Sequence, residues 1–279
     1  MKSVIINADD FGLSPGVNRG ILSAFRDGVV TSTTLLANMA GFDDAVAIAR
    51  ENPDLPVGIH LSLIWGRPVS DPAKIPTLVD RQGLLNRSAS ALGVRAMLGR
   101  LSVDQVRIEF AGQVRKVLDA GLTPTHLDTH KHIHVLPGVA DALVSVAGEF
   151  GIHKVRLPRE RSPRSRGCRC PASGNVKRAI IALLSHRAET QLCALKSTDH
   201  FVGIADSACL DTERLSLILR NLDDGVTELM CHPGHVDDQM KRYVAHSTRR
   251  EIELNALRDT EIRDYTESGS CRLMHFGDL

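Results

Sequence analysis

Short apolar runs alternate with helix-like segments along the whole chain. Runs rich in Val, Ile, Leu and Thr have the length of β-strands, and they lie at Ser3 to Ala8, Ser32 to Ala37, Val57 to Leu63, Thr125 to Thr129, Lys154 to Leu157, His200 to Ile204, Val226 to Cys231 and Cys271 to His275. Segments with helical spacing lie between them, at Val17 to Asp27, Phe42 to Asn52, Val103 to Ala120, Pro137 to Phe150 and Thr212 to Asn221. This alternation predicts parallel strands joined by crossover helices.

The number of strand and helix units in 279 residues favours a barrel over an open sheet. We therefore predict an α/β fold, a single-domain (β/α) barrel of the TIM-barrel type with about seven or eight strands, over residues 1–279. Two long loops interrupt the alternation, at about 66–101 and 159–175. Long loops inside a compact domain are often binding loops or lids.

The composition narrows the function classes. A formal net charge of +1 and 24% charged residues give no case for a nucleic-acid partner. No apolar stretch approaches the roughly 20 residues that a membrane-spanning helix needs, and the six cysteines show no regular spacing. Free thiols are typical of a reducing compartment. We expect a cytoplasmic protein, with peripheral contact at the inner face of the membrane left open.

Polar side chains follow the predicted strands at the point where each strand ends. They comprise Asp9, Asp10, His60, Arg156, His232 and the histidines of the segment "THLDTHKHIH" at 125–134. The carboxyl ends of parallel strands form one face of a barrel, and active sites are built on that face. We therefore expect these residues to converge. The adjacent carboxylates of Asp9 and Asp10 further indicate that a cation is held beside them.

A divalent metal ion is the cation that these residue types favour. Asp10, His60 and one histidine of the stretch from His126 to His130 would supply a carboxylate and two imidazoles, which suits zinc and leaves coordination positions open. His130 is nearest the strand end and can reach an ion, whereas His126 and Asp128 lie deeper and can orient ligand rings. His132 and His134 are expected to continue into the following loop.

Several motifs in order carry a resemblance to a known family. They are "NADDFGLSPGVNRGI", "TSTTLLANM", "VGIHLSL", "PTHLDTHKHIH", "VRLPRE" and "MCHPGH". The chain resembles the YdjC-like carbohydrate deacetylases, whose characterised members remove acetyl groups from chitooligosaccharides, and particularly their hopanoid-biosynthesis-associated subgroup. The resemblance implies a barrel-like fold and a divalent metal ion, zinc or magnesium, held by Asp10, His60 and His130. It also implies that Asp9 is the base and His232 a candidate acid.

The expected reaction is the hydrolysis of an acetamide on a sugar. A metal ion can polarise the carbonyl and lower the pKa of a bound water toward about 7. Asp9 would accept the proton from water and His232 would protonate the departing amine, while Arg156 would pair with Asp9 and lower its pKa. The expected substrate is an N-acetylated sugar, either a chitooligosaccharide or a glycolipid such as hopanoid-linked N-acetylglucosamine.

Other interpretations stay open at this stage. Two imidazoles and one carboxylate also form the iron site of non-haem oxygenases. A metal-dependent phosphoesterase or amidohydrolase would use a His-x-His pair and make His132 essential. The chain could also be a non-catalytic sugar-binding module. In structural terms, Asp9 and Asp10 could cap a turn, Arg156 could form a structural salt bridge, and assembly as a homodimer is left open.

An arginine-rich segment precedes an apolar run. Its arginines are Arg156, Arg159, Arg161, Arg164, Arg166 and Arg169, and the apolar run spans Ala179 to Leu184. The ordinary interpretation is a solvated loop followed by a buried helix. A sharper hypothesis is a lid that contacts an anionic membrane surface and admits a lipid-linked sugar.

Overall fold

The computed structural model of the protein describes residues 1–85, 88–160, 172–207, 209–244 and 248–279. Its strands are β1 (Lys2–Phe11), β2 (Ser32–Leu35), β3 (Val57–Leu61), β4 (Leu127–Thr129), β5 (His200–Val202), β6 (Gly225–Cys231) and β7 (Arg272–Met274). Its helices are α1 (Pro15–Arg26), α2 (Phe42–Glu51), α3 (Ala89–Met97), α4 (Val103–Asp119), α5 (Val139–Phe150), α6 (Ala172–Leu192), α7 (Thr212–Arg220), α8 (Asp238–Lys241), α9 (Arg249–Leu257) and α10 (Thr260–Glu267).

Strand β1 is the centre of a parallel sheet. The strands follow the order β4-β3-β2-β1-β6-β5, and β7 pairs with the first half of β1. Beyond its first residue β1 is buried throughout, as expected for a strand covered on both faces of a parallel sheet. Helices connect successive strands, so the predicted single α/β unit with parallel strands is confirmed.

The sheet curves into a half-barrel. Between β4 and β5, residues 154–160 make only isolated bridges, which join Leu127 to Val155, Lys154 to Lys196 and Glu160 to Phe201. Pro158 has no amide hydrogen with which to extend a ladder. The predicted strand from Lys154 to Leu157 is therefore reduced to these bridges, and closure into a TIM barrel stays a prediction.

One of the two predicted long loops contains a helix, and most of the other lies outside the described residues. The connection at 66–101 contains helix α3, whose N-terminus is capped by the Ser88 hydroxyl accepting the Ala91 amide. Residues 161–171 of the arginine-rich segment lie outside the described residues. The apolar run that follows belongs to α6, where Ile181 is buried but Ile180 and Leu183 are exposed. Ala179 is exposed as well, and Ile181 is the one buried residue of the run, so the interpretation of this run as a buried helix is wrong.

Helix α1 fixes the position of the loop that follows β6. At Gly20 an added Cβ would lie 2.5 Å from the Gly234 Cα, so the two backbones touch. This close approach is open only to a residue without a side chain. It holds the loop that begins with His232 against the first helix. Among the described helices, none is both long and apolar enough to cross a membrane.

Candidate active site

A pocket of about 340 Å³ opens at the carboxyl ends of the strands. The structure brings together the residues that the strand-end pattern singled out: Asp9, Asp10, His60, His130 and His232 line this pocket. Arg156 is fully buried and donates a hydrogen bond to Asp9. The predicted convergence of these side chains is therefore present in the structure.

Asp9 and Asp10 lie inside strand β1, which corrects the expectation that they follow it. Adjacent strand residues normally point to opposite faces. Here the register between β1 and β2 shifts between Ala8 and Phe11, and Asp10 has a φ of 71°. Bulges re-aim side chains in this way. The irregularity lets both carboxylates line one pocket, and the sequence pattern gave no sign of it.

Arg156 is the centre of a buried ionic network. Its Nη1 and Nη2 donate to the two carboxylate oxygens of Asp9, at 2.7 and 2.6 Å. Its Nε donates to Glu228 at 2.7 Å, and Nη1 also lies 2.6 Å from an Asp128 oxygen. One guanidinium thus serves three buried carboxylates. The predicted pairing of Arg156 with Asp9 is present, within a larger network than expected.

Three possible metal ligands converge on one carboxylate oxygen. Asp10 Oδ1 lies 3.2 Å from His130 Nδ1 and 3.5 Å from His60 Nε2, and these atoms all lie within 4.8 Å of one another. Ligands bound tetrahedrally at about 2.1 Å from zinc are themselves about 3.4 Å apart. Asp10 Oδ1 is buried and makes no hydrogen bond of normal geometry among the described residues. The three side chains therefore fit a divalent ion.

Asp128 fixes the orientation of His60. The Nδ1 of His60 lies 2.7 Å from Asp128 Oδ1, which leaves Nε2 to face Asp10. A carboxylate behind a histidine in this way sets the tautomer and ring direction at metal sites. The expectation that Asp128 orients a ligand ring agrees with this geometry.

A second candidate cluster overlaps the first and consists of Asp9, His60 and Asp128. Here Asp9 and Asp128 already share the guanidinium of Arg156, and Asp128 also holds His60 Nδ1. The guanidinium of Arg156 therefore already supplies the positive charge between Asp9 and Asp128. The cluster of Asp10, His60 and His130 is the better candidate for a metal ion.

Arg250 of α9 forms an ion pair with Oδ2 of Asp10. The two histidines face the other oxygen, Oδ1. Each of the two adjacent aspartates therefore has its own arginine. Lys131 and Lys177 also line this pocket, so its carboxylates lie among several cationic side chains.

Burial and these charges set the pKa values of the pocket. Burial lowers the pKa of His130 to about 4, although the carboxylate of Asp10 acts to raise it. The ring is therefore neutral, as a metal ligand must be. Burial also opposes a charge on His60, yet Asp128 and Asp9 raise its pKa to about 9. A proton on His60 is one response to the negative charge, and a bound metal ion is another.

The catalytic candidates respond to burial in different ways. Burial disfavours ionised Asp9, but Arg156 and His60 together hold its pKa well below the usual value. Burial lowers the pKa of His232 to about 3. The Nε2 of His232 lies 4.0 Å from Asp9 Oδ2, and its backbone amide donates to Glu253 at 2.6 Å. Asp9 is therefore ionised, and a neutral imidazole faces it across the pocket.

The remaining histidines of the segment at 125–134 lie in environments different from that of His130. His126 stacks on Phe276 with ring centroids 3.6 Å apart, away from the pocket. His134 is buried between Thr129 and the Arg156 carbonyl. His132 lines the pocket but belongs to neither candidate metal cluster of the described chain. Strand β4 ends at Thr129, so the side chains that follow do not continue to alternate between the two faces of the sheet.

Three residues of the site were missed from the sequence. Arg250 lies on a distant helix, and nothing in its local pattern links it to Asp10. Glu228 is a charged residue inside an apolar strand, a signal that could have been used. Trp65, the only tryptophan, follows β3 with a φ of 67° and lies 4.4 Å from His130 between ring centroids.

The fold and site define an α/β protein with a candidate metal centre at its strand ends. The chain belongs to the family described as YdjC-like protein, whose model matches residues 3–268. A protein named carbohydrate deacetylase from Thermoanaerobacter pseudethanolicus is 33% identical over 279 residues, which are 100% of both chains. A protein of the same name from Clostridium beijerinckii is 32% identical over 99% of each chain.

A solved structure shows the same fold. It is that of a candidate cellobiose-phosphate cleavage protein from Enterococcus faecalis, which aligns with a TM-score of 0.81 at 24% identity. The alignment covers 100% of this chain and 98% of that one. At this identity the likeness establishes the fold alone.

Arg156→Met tests the buried network. The substitution leaves Asp9, Asp128 and Glu228 buried without their shared cation, so we expect a loss of at least about 3 kcal/mol in the free energy of unfolding. Arg115→Met is the control, because Arg115 is exposed and pairs with Glu149 at the surface, where such a pair is worth less than about 1 kcal/mol. Urea denaturation measures both. Equal losses would contradict the role of Arg156.

Proposed function

We propose that the protein is a metal-dependent hydrolase that removes the N-acetyl group from an N-acetylated sugar. The observation that carries this proposal is the buried cluster of Asp10, His60 and His130, which shares one pocket with Asp9 and His232. Membership of a family whose relatives are named carbohydrate deacetylase supports it. The reaction belongs to the hydrolysis of linear amides.

Asp10, His60 and His130 would hold the ion. Two imidazole nitrogens and one carboxylate favour zinc over magnesium, because magnesium prefers a shell of oxygens. When bound, a divalent ion polarises a carbonyl and lowers the pKa of water. The residues around it perform the proton transfers.

Asp9 and His232 are assigned the two proton transfers of the reaction, from the attacking water and to the departing amine. Asp9 Oδ2 faces the pocket and would accept the proton of the attacking water, while Arg156 holds the carboxylate in place. His232 Nε2, 4.0 Å from this carboxylate, would take that proton from Asp9 and pass it to the departing amine. Arg156 acts through Asp9 and positions it.

An aromatic wall supports a sugar as the substrate. Trp65 lines the pocket together with Tyr243, with ring centroids 5.4 Å apart. Both residues also line a neighbouring cavity of about 610 Å³. Flat aromatic faces contribute a large apolar surface beside polar groups, so they suit sugar rings that follow the acetylated one.

The rival functions have less support. A phosphoesterase or amidohydrolase that uses His132 as a ligand would need it in a metal cluster, and neither candidate cluster of the described chain contains it. A sugar-binding module would not require the paired Asp9 and His232. The hopanoid-linked substrate, the cytoplasmic location, peripheral membrane contact and a homodimer stay predictions.

Acetate release tests the proposal directly. We expect the zinc-loaded protein to release acetate from N-acetylglucosamine oligomers or from an N-acetylglucosamine glycolipid, without oxygen or a reductant. A chelator should abolish the release and added zinc should restore it. An enzymatic acetate assay under nitrogen measures this. If no N-acetylated sugar in such a panel loses acetate, the proposal is wrong.

The adjacent carboxylates should separate metal binding from turnover. Asp10→Asn should lose the ion, because a neutral amide oxygen is a much weaker ligand, and excess zinc should restore part of the activity. Asp9→Asn should keep the ion and lose roughly 10² to 10⁴ in rate, the usual range for a general base. Each variant is the control for the other. Metal analysis and turnover decide, and an empty Asp9→Asn beside a full Asp10→Asn would reverse the assignment.

A further inference from the structure

A polar face of helix α4 holds the segment that follows β3. Gln105, Glu109 and Gln113 are spaced four residues apart, so their side chains lie on one face of the helix. Glu109 and Gln113 have no exposed surface. A buried carboxylate or amide group needs hydrogen-bond partners, because an unpaired one is costly. Many of those partners come from the segment at 62–77.

Glu109 accepts two successive amides of that segment. Its Oε1 accepts from the Val69 amide and its Oε2 from the Ser70 amide, both at 2.9 Å. Gln113 donates to the same carboxylate at 2.8 Å. Its side-chain amide also exchanges two hydrogen bonds with the backbone of Ser62, at 2.6 and 2.9 Å. The segment is therefore fixed to one helix at two separated points.

The helix and the segment also touch directly. An added Cβ at Gly112 would lie 2.7 Å from Ser70 Oγ, and that hydroxyl donates to the Ile108 carbonyl at 3.1 Å. Further along the chain, the amide and the hydroxyl of Thr77 both donate to Gln105 Oε1 at 2.8 Å. The contact therefore extends over about two turns of α4.

Trp65 lies between the two fixed points, in a conformation that needs such support. Its φ of 67° is in the left-handed region, which disfavours residues with a side chain, and such a conformation persists where the surroundings hold it. The indole lines both the active-site pocket and the neighbouring cavity of about 610 Å³. Neither Glu109 nor Gln113 is among the described residues that line these cavities. These two side chains therefore act on a bound ligand through the segment and not by contact.

We propose that Glu109 and Gln113 are positioning residues, which hold Trp65 as the wall against which a sugar ring packs beside the metal cluster. This inference rests on the proposed function, since it takes an N-acetylated sugar as the ligand. The geometry carries it, because the two fixed points lie on either side of a tryptophan in the left-handed region. A wall that is held in its binding orientation before the ligand arrives costs less to order. Loosening the segment should therefore weaken binding and leave the reacting groups unchanged.

Glu109→Gln tests the role of the carboxylate. Glutamine has nearly the same shape, but its NH₂ group cannot accept, so the amide of Val69 or of Ser70 loses its partner. We expect KM for the trimer of N-acetylglucosamine to rise about 3- to 30-fold, because the held conformation becomes less populated, and kcat to change less than about twofold. Trp65 is the only tryptophan of the chain, so acrylamide quenching of its fluorescence should increase in parallel.

A double-mutant cycle shows whether Glu109 acts through the indole. In the Trp65→Ala background, Glu109→Gln should change KM less than about twofold, because no indole is left to misplace. Glu160→Gln is the matched control, since Glu160 is also buried and also accepts backbone amides, those of Ile204 and Ala205, at 3.0 Å. In urea denaturation it should lose stability as Glu109→Gln does, but it should leave the quenching of Trp65 unchanged.

Gly112→Ala provides a second test, which keeps every buried hydrogen-bonding group of Glu109 and decides the matter if Glu109→Gln does not fold. Alanine favours a helix more than glycine does, so α4 is retained, while the new methyl group displaces the Ser70 hydroxyl. We expect the same rise in KM and in the quenching of Trp65, again with kcat nearly unchanged. Steady-state kinetics and fluorescence on the full-length protein measure both.

The outcomes separate this inference from the proposed function. Unchanged quenching and KM in Glu109→Gln, or a KM effect of equal size in the Trp65→Ala background, overturns the positioning role alone. A fall in kcat as large as the rise in KM also overturns it. If the unmodified protein neither binds nor deacetylates any N-acetylated sugar, the proposed function fails. The quenching of Glu109→Gln against Glu160→Gln then still decides whether Glu109 holds Trp65.

Discussion

A buried guanidinium needs carboxylate partners in direct contact, because taking an ion out of water costs several kcal/mol. Arg156 has no exposed surface, and its partners Asp9, Asp128 and Glu228 come from β1, β4 and β6. Satisfying this one cation therefore fixes the relative positions of three strands. It also fixes chemistry, since the same contacts hold Asp9 at the pocket and place Asp128 behind His60.

The site consequently has two charge layers. In the inner layer Arg156 pairs with the carboxylates of Asp9, Asp128 and Glu228. In the outer layer Asp10 is shared between Arg250 and the two histidines, and its unbonded oxygen faces His60 and His130. A metal ion at Asp10, His60 and His130 would not displace either arginine. This separation explains how neighbouring residues of one strand can have different roles.

Much of this arrangement could be predicted from the sequence. The rule that parallel strands end on one face was sufficient to group Asp10, His60 and His130 from three distant segments. Three kinds of feature were beyond it. The bulge at Asp10 depends on pairing with β2, the contact of Arg250 joins residues far apart in the chain, and α3 lies in a segment that was assigned to a long loop. The first two arise from tertiary packing, which a local pattern does not encode, whereas the Ser88 cap of α3 is a local signal.

Anomalous diffraction from zinc-soaked crystals tests the central claim most directly. The two candidate clusters share His60 and differ in their other members, so the position of the ion separates them. We predict one anomalous peak bonded to Asp10, His60 and His130, with Arg156 still bound to Asp9 and Asp128. A peak bonded to Asp9 and Asp128, with Arg156 displaced, would contradict the account.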